Sequence, residues 1–416
     1  MEKIRIGVFG AGRGAGIAKN MQLLGGEVVA LCDFHEDRRK KAAEALGEGV
    51  ALYADFDAFL EHGFDAVILA NFFNEHAPYA IRCLERGIHV YSECISNGTM
   101  AEGVELIRAA EKSSAVYMLA ENYPNMIFNR EMQRICAGGT LGRLMYAEGE
   151  YNHPVSGADI NFMKTYNYYP EHWRNFLPRT YYITHSMGPC MRATGATPRR
   201  VTAFAIFSPA RGDFPTASHN GDRSAVIMTQ NDDGSIFRVT GCASYGAHHN
   251  AYRICGSQGQ IENVRGTNKI MLRYNAWNVP EGMQEINFYE PEWHDKDEEL
   301  IKTSGHGGAD FLTAREFMDC IREGRQPVHP FNVHAAVAMS STAILAHRSM
   351  LAGGQPFDVP DFRREEDRKL WENDRETPFW SPDGTPPTLP CCSHPDYGPT
   401  ETQLKLFREQ VMEEKV

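Results

Sequence analysis

Four glycines at alternate positions, Gly10-x-Gly12-x-Gly14-x-Gly16, follow an apolar run at 4–9 and lead into a helix-like stretch at 17–24. No other feature constrains the chain as tightly. Glycines at such a turn let backbone N–H groups approach a pyrophosphate, and the following helix N-terminus adds positive potential. The spacing departs from G-x-G-x-x-G, with Ala15 where the third glycine falls, a permitted variant. The second strand pattern, 28–32, ends on Asp33, about 20 residues past the loop, where a carboxylate can bind the adenosine ribose. That carboxylate repels a 2′-phosphate, so the pattern predicts NAD in preference to NADP. Arg13 lies in the loop and Arg38 on the adenosine side, where it can stack on adenine or support a phosphate.

The rhythm that follows is strand and helix in alternation. Helices are expected at 35–46, 75–86 and 100–112, with strands at 66–70, 89–92 and 116–120. Such βαβ units predict a parallel sheet covered on both faces. Near Asn122 the rhythm breaks. After a helix at 128–138 come strand-like runs at 144–152, 201–207, 224–230, 236–242, 252–255 and 269–274, with turns such as Asn231-Asp232-Asp233-Gly234 between them. A run of strands without helices reads as a mostly antiparallel sheet. Helices return at 309–322 and 335–351. The reading is therefore α/β plus α+β. Residues 1–122 form a Rossmann dinucleotide-binding domain. Residues 123–376 form an α+β substrate and oligomerisation domain on a large, mainly antiparallel sheet. Residues 377–416 form an extended, Pro- and Gly-rich arm, with a short helix expected near its end.

Composition removes other classes. Lys and Arg total 42 against 54 Asp and Glu, a formal charge of −12, which disfavours nucleic acid and anionic lipid as partners. No apolar run approaches the ~18–20 residues of a membrane span. Ten scattered cysteines include no C-x-x-C pair, several sit in apolar runs, and the chain enters a strand at once; a cytoplasmic, reducing location is expected. No H-E-x-x-H spacing occurs, His248 and His249 alone are adjacent histidines, and no metal is expected.

Two segments lie where strands of the first half end, the place ligands occupy in open α/β sheets. They are Asn71-Phe72-Phe73-Asn74-Glu75-His76 and Tyr91-Ser92-Glu93-Cys94-Ile95-Ser96. His76 faces the cofactor in one reading; in the other, Asn74 caps a helix with His76 in its first turn. The order of a Gly-rich Rossmann half, an Asp-ended second strand and a Glu-containing turn after the fifth strand resembles the Gfo/Idh/MocA oxidoreductases. In sugar dehydrogenases of that family the turn reads E-K-P, and its Lys helps a substrate hydroxyl lose its proton. Here it reads Glu93-Cys94-Ile95. Cys94 is reactive in one reading and a small packed residue in the other.

Further motifs resemble the branch of NAD-dependent glycosidases, glycoside hydrolase family 109 and relatives. They include Ala120-Glu121-Asn122-Tyr123, Glu148-Gly149-Glu150-Tyr151-x-His153, Trp173-Arg174, Tyr182-Ile183-Thr184-His185-Ser186-Met187-Gly188-Pro189 and Gly305-His306-Gly307-Gly308-Ala309-Asp310. The resemblance implies that Tyr151, His153, Arg174, Tyr182 and His185 line a sugar site. With Gly10, Gly12, Arg13, Gly14, Asp33 and Arg38, residues Asn71, His76, Glu93 and Asn122 make up the expected cofactor contacts. Trp173 and Tyr123 join Arg174 as expected substrate contacts, and the Tyr-rich stretch 166–169 forms either a stacking wall or a packed loop.

A neutral histidine, with an ordinary pKa of ~6.5, accepts protons near neutrality, and a tyrosine hydroxyl can relay one. Tyr182 and His185, three residues apart, are thus the expected proton acceptors, with Tyr151 and His153 as further catalytic candidates; the bland reading of His185 is a cap on a helix beginning near Ser186. The leading expectation is an NAD-dependent oxidoreductase that moves hydride from a ring hydroxyl of a sugar or glycoside to the nicotinamide. One alternative is a glycosidase that oxidises, eliminates, hydrates and reduces again with no net NAD consumed. Another is a non-catalytic nucleotide-binding subunit. A homo-oligomer formed through the C-terminal sheet is expected.

Overall fold

Strands buried on both faces and helices with one apolar face build the first layer. The structure, a computed structural model, describes residues 3–154, 160–212 and 214–412. Its first sheet holds β1 (Arg5–Phe9), β2 (Glu27–Cys32), β3 (Ala51–Tyr53), β4 (Ala66–Leu69), β5 (His89–Ser92) and β6 (Tyr117–Leu119). All neighbours are parallel, in the order β3-β2-β1-β4-β5-β6. The order in which strands are added reverses at β1, with β2 and β3 on one side and β4 to β6 on the other, which opens a crevice at the carboxyl ends of β1 and β4. The crossovers are α1 (Ala11–Leu23), α2 (Glu36–Leu46), α3 (Phe56–Leu60), α4 (His76–Glu85) and α5 (Met100–Lys112). Local chemistry sets their starts. Asp55 accepts from Ala58 N–H ahead of α3, and Thr99 and Glu102 close a capping box ahead of α5.

One sequence expectation is corrected here. The glycine run was expected to precede a helix from 17, but α1 begins at Ala11, inside the run. Gly10 makes the entry, with φ +96° and its Cα against the Ala70 carbonyl, a place no side chain fits. β3 and α3 were also not foreseen, because three- and five-residue elements carry too little periodicity.

The second sheet has nine strands: β7 (Leu144–Asn152), β8 (Pro198–Phe207), β9 (Asp222–Asn231), β10 (Ile236–Thr240), β11 (His249–Gly256), β12 (Gly259–Asn263), β13 (Ile270–Tyr274), β14 (Ile286–Tyr289) and β15 (Phe357–Asp358). Their order is β14-β13-β12-β11-β7-β10-β9-β8-β15, antiparallel except for β7 and β10. The helices of this half are α6 (Ile127–Ala137), α7 (Ile160–Tyr166), α8 (Thr184–Thr194), α9 (Glu298–Thr303), α10 (Ala309–Glu323), α11 (Val333–Leu351), α12 (Glu365–Trp371) and α13 (Glu401–Phe407). Alternation along the strands puts Ala147, Tyr151, Ala203, Ile227, Val239 and Tyr252 in a core under α6, α8 and α11. The opposite face leaves Phe204, Ile206, Met228, Ile236 and Phe288 exposed.

The two halves share their cores. Phe317, Met318 and Cys320 of α10 join Ile6, Ile17, Met21 and Tyr91 in one apolar cluster, so a helix from late in the chain covers part of the first sheet. The C-terminal segment lies on its own chain. Phe379, Cys391, Cys392 and Phe407 are buried, His394 stacks on Phe207, and Ser393 donates to Asp222. All ten cysteines are free thiols. Among the described residues no helix is long and apolar enough to cross a membrane, and no group of three His, Cys, Asp or Glu is placed to hold a metal.

Candidate active site

Close approach of backbones sets up the site. β7 carries Gly149, where any Cβ would strike the Ser186 carbonyl, so α8 can lie directly on the strand. On α8 itself, a Cβ at Gly188 would sit 2.9 Å from Glu121 Cγ. Glycine at both points lets Glu121, just beyond β6, reach His185 in the first turn of α8. Pro189 adds a second device. It has no N–H to give the His185 carbonyl four residues back, and the Tyr252 hydroxyl donates to that carbonyl instead, at 2.5 Å. His185 is therefore a helical residue anchored by its backbone, and not a cap, because the helix starts at Thr184.

The side chain is held from both ends. His185 Nδ1 lies 2.8 and 3.0 Å from the two carboxylate oxygens of Glu121, and Nε2 lies 3.0 Å from the Tyr182 hydroxyl. The carboxylate places the proton on Nδ1, so Nε2 accepts from Tyr182. Glu121 is fully buried. Burial alone raises its pKa, but the attraction and hydrogen bond of His185, with Thr184 and the Tyr123 amide, outweigh it and hold the carboxyl below the usual range. Burial pushes the Tyr182 phenol well above its ordinary value, with nearby Tyr151 adding to the effect. Tyr182 thus stays protonated at rest and can take a proton only while passing its own to His185. Tyr123 stacks on the His185 ring at 3.9 Å, and Tyr151 meets it edge-on at 4.8 Å.

Cys94 occupies the corner where the resemblance expects a lysine. Its Sγ donates to Glu121 at 3.2 Å. Burial, then the charges of Glu121 and Glu93, push the thiol well up. A protonated thiol of this kind is a poor nucleophile.

The remaining expected residues fall into three groups. Arg13 does not point along the glycine loop: it pairs bidentately with Asp310, at 2.7 and 2.8 Å, and donates to Glu93 at 2.9 Å. Asn122 and His306 meet the same Asp310, at 2.6 and 3.0 Å. These bonds hold the Asp310 carboxyl far below the usual range although burial works against them. Glu121 and Asp310 stand in the motifs that carry the resemblance, but neither has an expected role in the site. The sign available for Glu121 was its place at the carboxyl end of a parallel strand.

Beside the glycine loop, Asp33 accepts from Ala11 N–H at 2.8 Å and His35 N–H at 2.9 Å, which leaves each oxygen a further lone pair. A Cβ at Gly12 would meet nothing within 4 Å, so open space lies above the loop. Arg38 stacks over Tyr168 at 5.2 Å and donates to the Thr165 carbonyl, and Tyr168 also bonds His35; the tyrosine stretch thus reaches the adenosine side. Beyond β4, Asn71 Oδ1, Asn74 Oδ1 and His76 Nε2 are buried and, among the described residues, without hydrogen-bond partners. His76 is in the first turn of α4 with Nδ1 at 3.1 Å from the Ile95 carbonyl, and burial lowers its pKa. An open glycine turn, a carboxylate with spare lone pairs and orphaned polar atoms along one edge suit a dinucleotide.

On the other side, Trp173 stacks on Phe73 at 5.1 Å, and Phe73 meets Tyr182 edge-on at 5.4 Å. Arg174 lies over Trp173 at 4.4 Å. His153 is at the exposed mouth, 5.7 Å from Tyr151 and 4.8 Å from His248 between ring centres; it does not touch Tyr182 or His185 through any hydrogen bond among the described residues.

Residues 4–121 match the family described as "Oxidoreductase family, NAD-binding Rossmann fold", and residues 129–369 match "Glycosyl hydrolase 109, C-terminal domain". A "Glycosyl hydrolase family 109 protein 1" of Bacteroides thetaiotaomicron is 24% identical, with 88% of this chain and 85% of that protein covered. A "Glycosyl hydrolase family 109 protein" of Streptomyces filamentosus is 27% identical, over 88% and 78%. Among solved structures, levoglucosan dehydrogenase in complex with NADH and levoglucosan superposes with a TM-score of 0.71 at 17% identity, over 86% of this chain and all of that one. An oxidoreductase from Agrobacterium radiobacter, in complex with NAD+, L-tartaric acid and magnesium, gives 0.67 at 14% identity, over 86% and 99%.

Proposed function

The chain belongs to the glycosyl hydrolase 109 family and has the NAD-binding Rossmann domain of the Gfo/Idh/MocA oxidoreductases, and on that premise we propose that it oxidises a ring hydroxyl of a sugar or glycoside. NAD, when bound along the glycine loop and the carboxyl edge of the first sheet, supplies the hydride acceptor. Asp33 would hold its ribose, and Asn71, Asn74 and His76 offer the polar atoms along its path. Asp33 also favours NAD over NADP.

The observation that carries the reading is the line Glu121–His185–Tyr182, with hydrogen bonds of 2.8 and 3.0 Å. An alcohol that loses hydride must lose its hydroxyl proton as well. Tyr182, partly exposed on the cleft, accepts that proton as its own passes to His185 Nε2, and Glu121 stabilises the imidazolium that results. Trp173, stacked on Phe73, holds the Arg174 guanidinium over its ring beside the cleft, and Tyr151 and Tyr123 hold the imidazole plane. The site therefore has an acceptor for the proton without the lysine of the E-K-P turn.

The glycosyl hydrolase match over 129–369, which takes in Tyr151, His153, Arg174, Tyr182 and His185, favours a second reading. In it the oxidised sugar sheds its aglycone by elimination, takes up water and is reduced again, a net hydrolysis. One experiment separates the two. The purified protein is mixed with neutral and charged sugars and their nitrophenyl glycosides, and NADH absorbance and aglycone release are followed together. Stoichiometric NADH with ketosugar supports the dehydrogenase. Aglycone release without bulk NADH supports the cycle. Neither signal with any sugar would overturn both.

The exposed apolar residues Phe204, Ile206, Met228, Ile236 and Phe288 lie on one face of the second sheet, and a second copy of the chain covering that face is part of the proposal. Sedimentation equilibrium should give an oligomer that Phe204→Asp weakens. The ten free thiols suit a reducing, cytoplasmic location, which belongs to the same proposal.

A further inference from the structure

Arg174 is unlike the arginines around it. Arg13 meets Asp310 and Glu93, and Arg315 meets Asp295 and Asp297. Arg174 lies over the rings of Trp173 and Tyr166, at 4.4 and 5.5 Å. Its backbone N–H bonds His172, but among the described residues no acceptor meets its guanidinium. It is within electrostatic reach of Tyr182, Cys242, Tyr166 and Tyr151, and burial lowers its pKa. Arg179, near the same Cys242, donates its Nε–H to the Asp222 carbonyl and meets no carboxylate among the described residues. A half-buried cation left unpaired is costly, and the cost falls when an anion arrives.

The carboxylates of the cleft do not compensate. Glu121 is taken by His185, Cys94 and the Tyr123 amide; Glu93 by Arg13 and the Cys94 amide; Asp310 by Arg13, Asn122 and His306. The charged and imidazole groups near Trp173 without a carboxylate partner among the described residues include Arg174 and, at the mouth, His153 and His248. A guanidinium with its face on an aromatic ring keeps its N–H edge for the fork-shaped pairing that suits a planar anion.

We propose that the substrate carries an anionic substituent, a carboxylate or sulfate on the sugar, which seats against the N–H edge of Arg174 beside Trp173. This rests on the sugar reading above and names the substrate class within it. The two sources of charge are separable by substrate.

The test uses the NAD-loaded protein and matched pairs: methyl glucuronide with methyl glucoside, methyl galacturonide with methyl galactoside, and the 6-sulfate of the last. Binding is read by calorimetry and hydride transfer by single-turnover absorbance, so recognition and chemistry are scored apart. Charged members should bind about 10–100-fold more tightly than their neutral partners, the range for a charge-assisted bond. Arg174→Gln should bring that ratio close to one, and Arg174→Lys should restore part of it. Tighter binding of uronates than of the sulfate assigns a carboxylate, and the reverse a sulfate. Should uronate bind selectively without reducing NAD, the oxidation proposal fails and this one stands. Should neutral sugars bind as well as charged ones in the wild type, or Arg174→Gln weaken NAD binding while leaving the ratio intact, the anion assignment is overturned.

Discussion

The two walls of the cleft are built on opposite terms. Along the cofactor edge, Asn71 Oδ1, Asn74 Oδ1 and His76 Nε2 are buried without partners among the described residues, and the turn at Gly12 faces open space. Across from it, Glu121, His185 and Tyr182 satisfy one another, and Cys94 and the Tyr123 amide take up what Glu121 has left. Unmet polar atoms in a fold cost free energy that a ligand returns on binding. A satisfied chain costs nothing to organise at the moment of reaction, and it fixes the tautomer before substrate arrives. On the proposed function, the Rossmann edge binds the cofactor and the α8 edge transfers the proton. Substitutions on the two walls should therefore fail in different ways.

The sharpest break is Glu121→Gln. An amide cannot stabilise the imidazolium, and it permits the wrong tautomer, so kcat should fall on the order of 10³-fold, within the ~10²–10⁴ range of a positioned base. The dissociation constant of NAD should hold. The same substitution has a pH signature. The Glu121 carboxyl is lower in the folded protein than its ordinary value of ~4.3, so its contribution to stability is complete above that value and is lost as pH falls through the folded one. Urea midpoints of wild type and Glu121→Gln should converge below about pH 4. A gap that widened with acid would contradict the Glu121–His185 pairing.

Asp33→Ala tests the binding wall. It removes the acceptor of the Ala11 and His35 amides and the group that repels a 2′-phosphate. The NAD-over-NADP ratio, read by fluorescence titration, should shrink by about tenfold, roughly 1.4 kcal/mol, with little change in the single-turnover rate at saturation. NADP bound as well as NAD by the unaltered protein would refute the assignment. The smallest effect belongs to Cys94→Ala. A protonated thiol that only donates to Glu121 should be dispensable to within a few-fold in kcat. A loss of orders of magnitude with the fold intact would give Cys94 a chemical role.

How much of this the sequence disclosed follows from the range of the interactions. The glycine turn, Asp33 and the βα alternation are local patterns, and each lies where the strands and helices put it. The tyrosine–histidine pair was also local, three residues apart on one helix start. Glu121 and Asp310 were not legible in the same way. Glu121 reaches His185 across 64 positions, and Asp310 reaches Arg13 across 297. Gly149 and Gly188 give Glu121 its partner by letting α8 close on β7 and β6, and the packing of α10 on α1 gives Asp310 its own; no periodicity announces either. The role of Arg13 shifted for that reason: in sequence it belongs to the phosphate loop, whereas in the fold a late helix supplies its carboxylate. Short strands such as β12 and β14 escaped because their pairing, more than their own alternation, defines them.

The central claim is that Tyr182 and His185 act as one relay. It is tested most directly by single-turnover NADH formation in a mutant cycle of Tyr182→Phe, His185→Ala and the pair together, with the NAD dissociation constant measured for each. His185→Ala should lose ~10²–10⁴-fold and Tyr182→Phe somewhat less, because the ring still packs. The double mutant should lose little more than His185→Ala alone, since either break interrupts the same path. Losses that multiply would mean two independent roles, and a full rate in His185→Ala would move the proton to another acceptor altogether, with Tyr151 and His153 next in line.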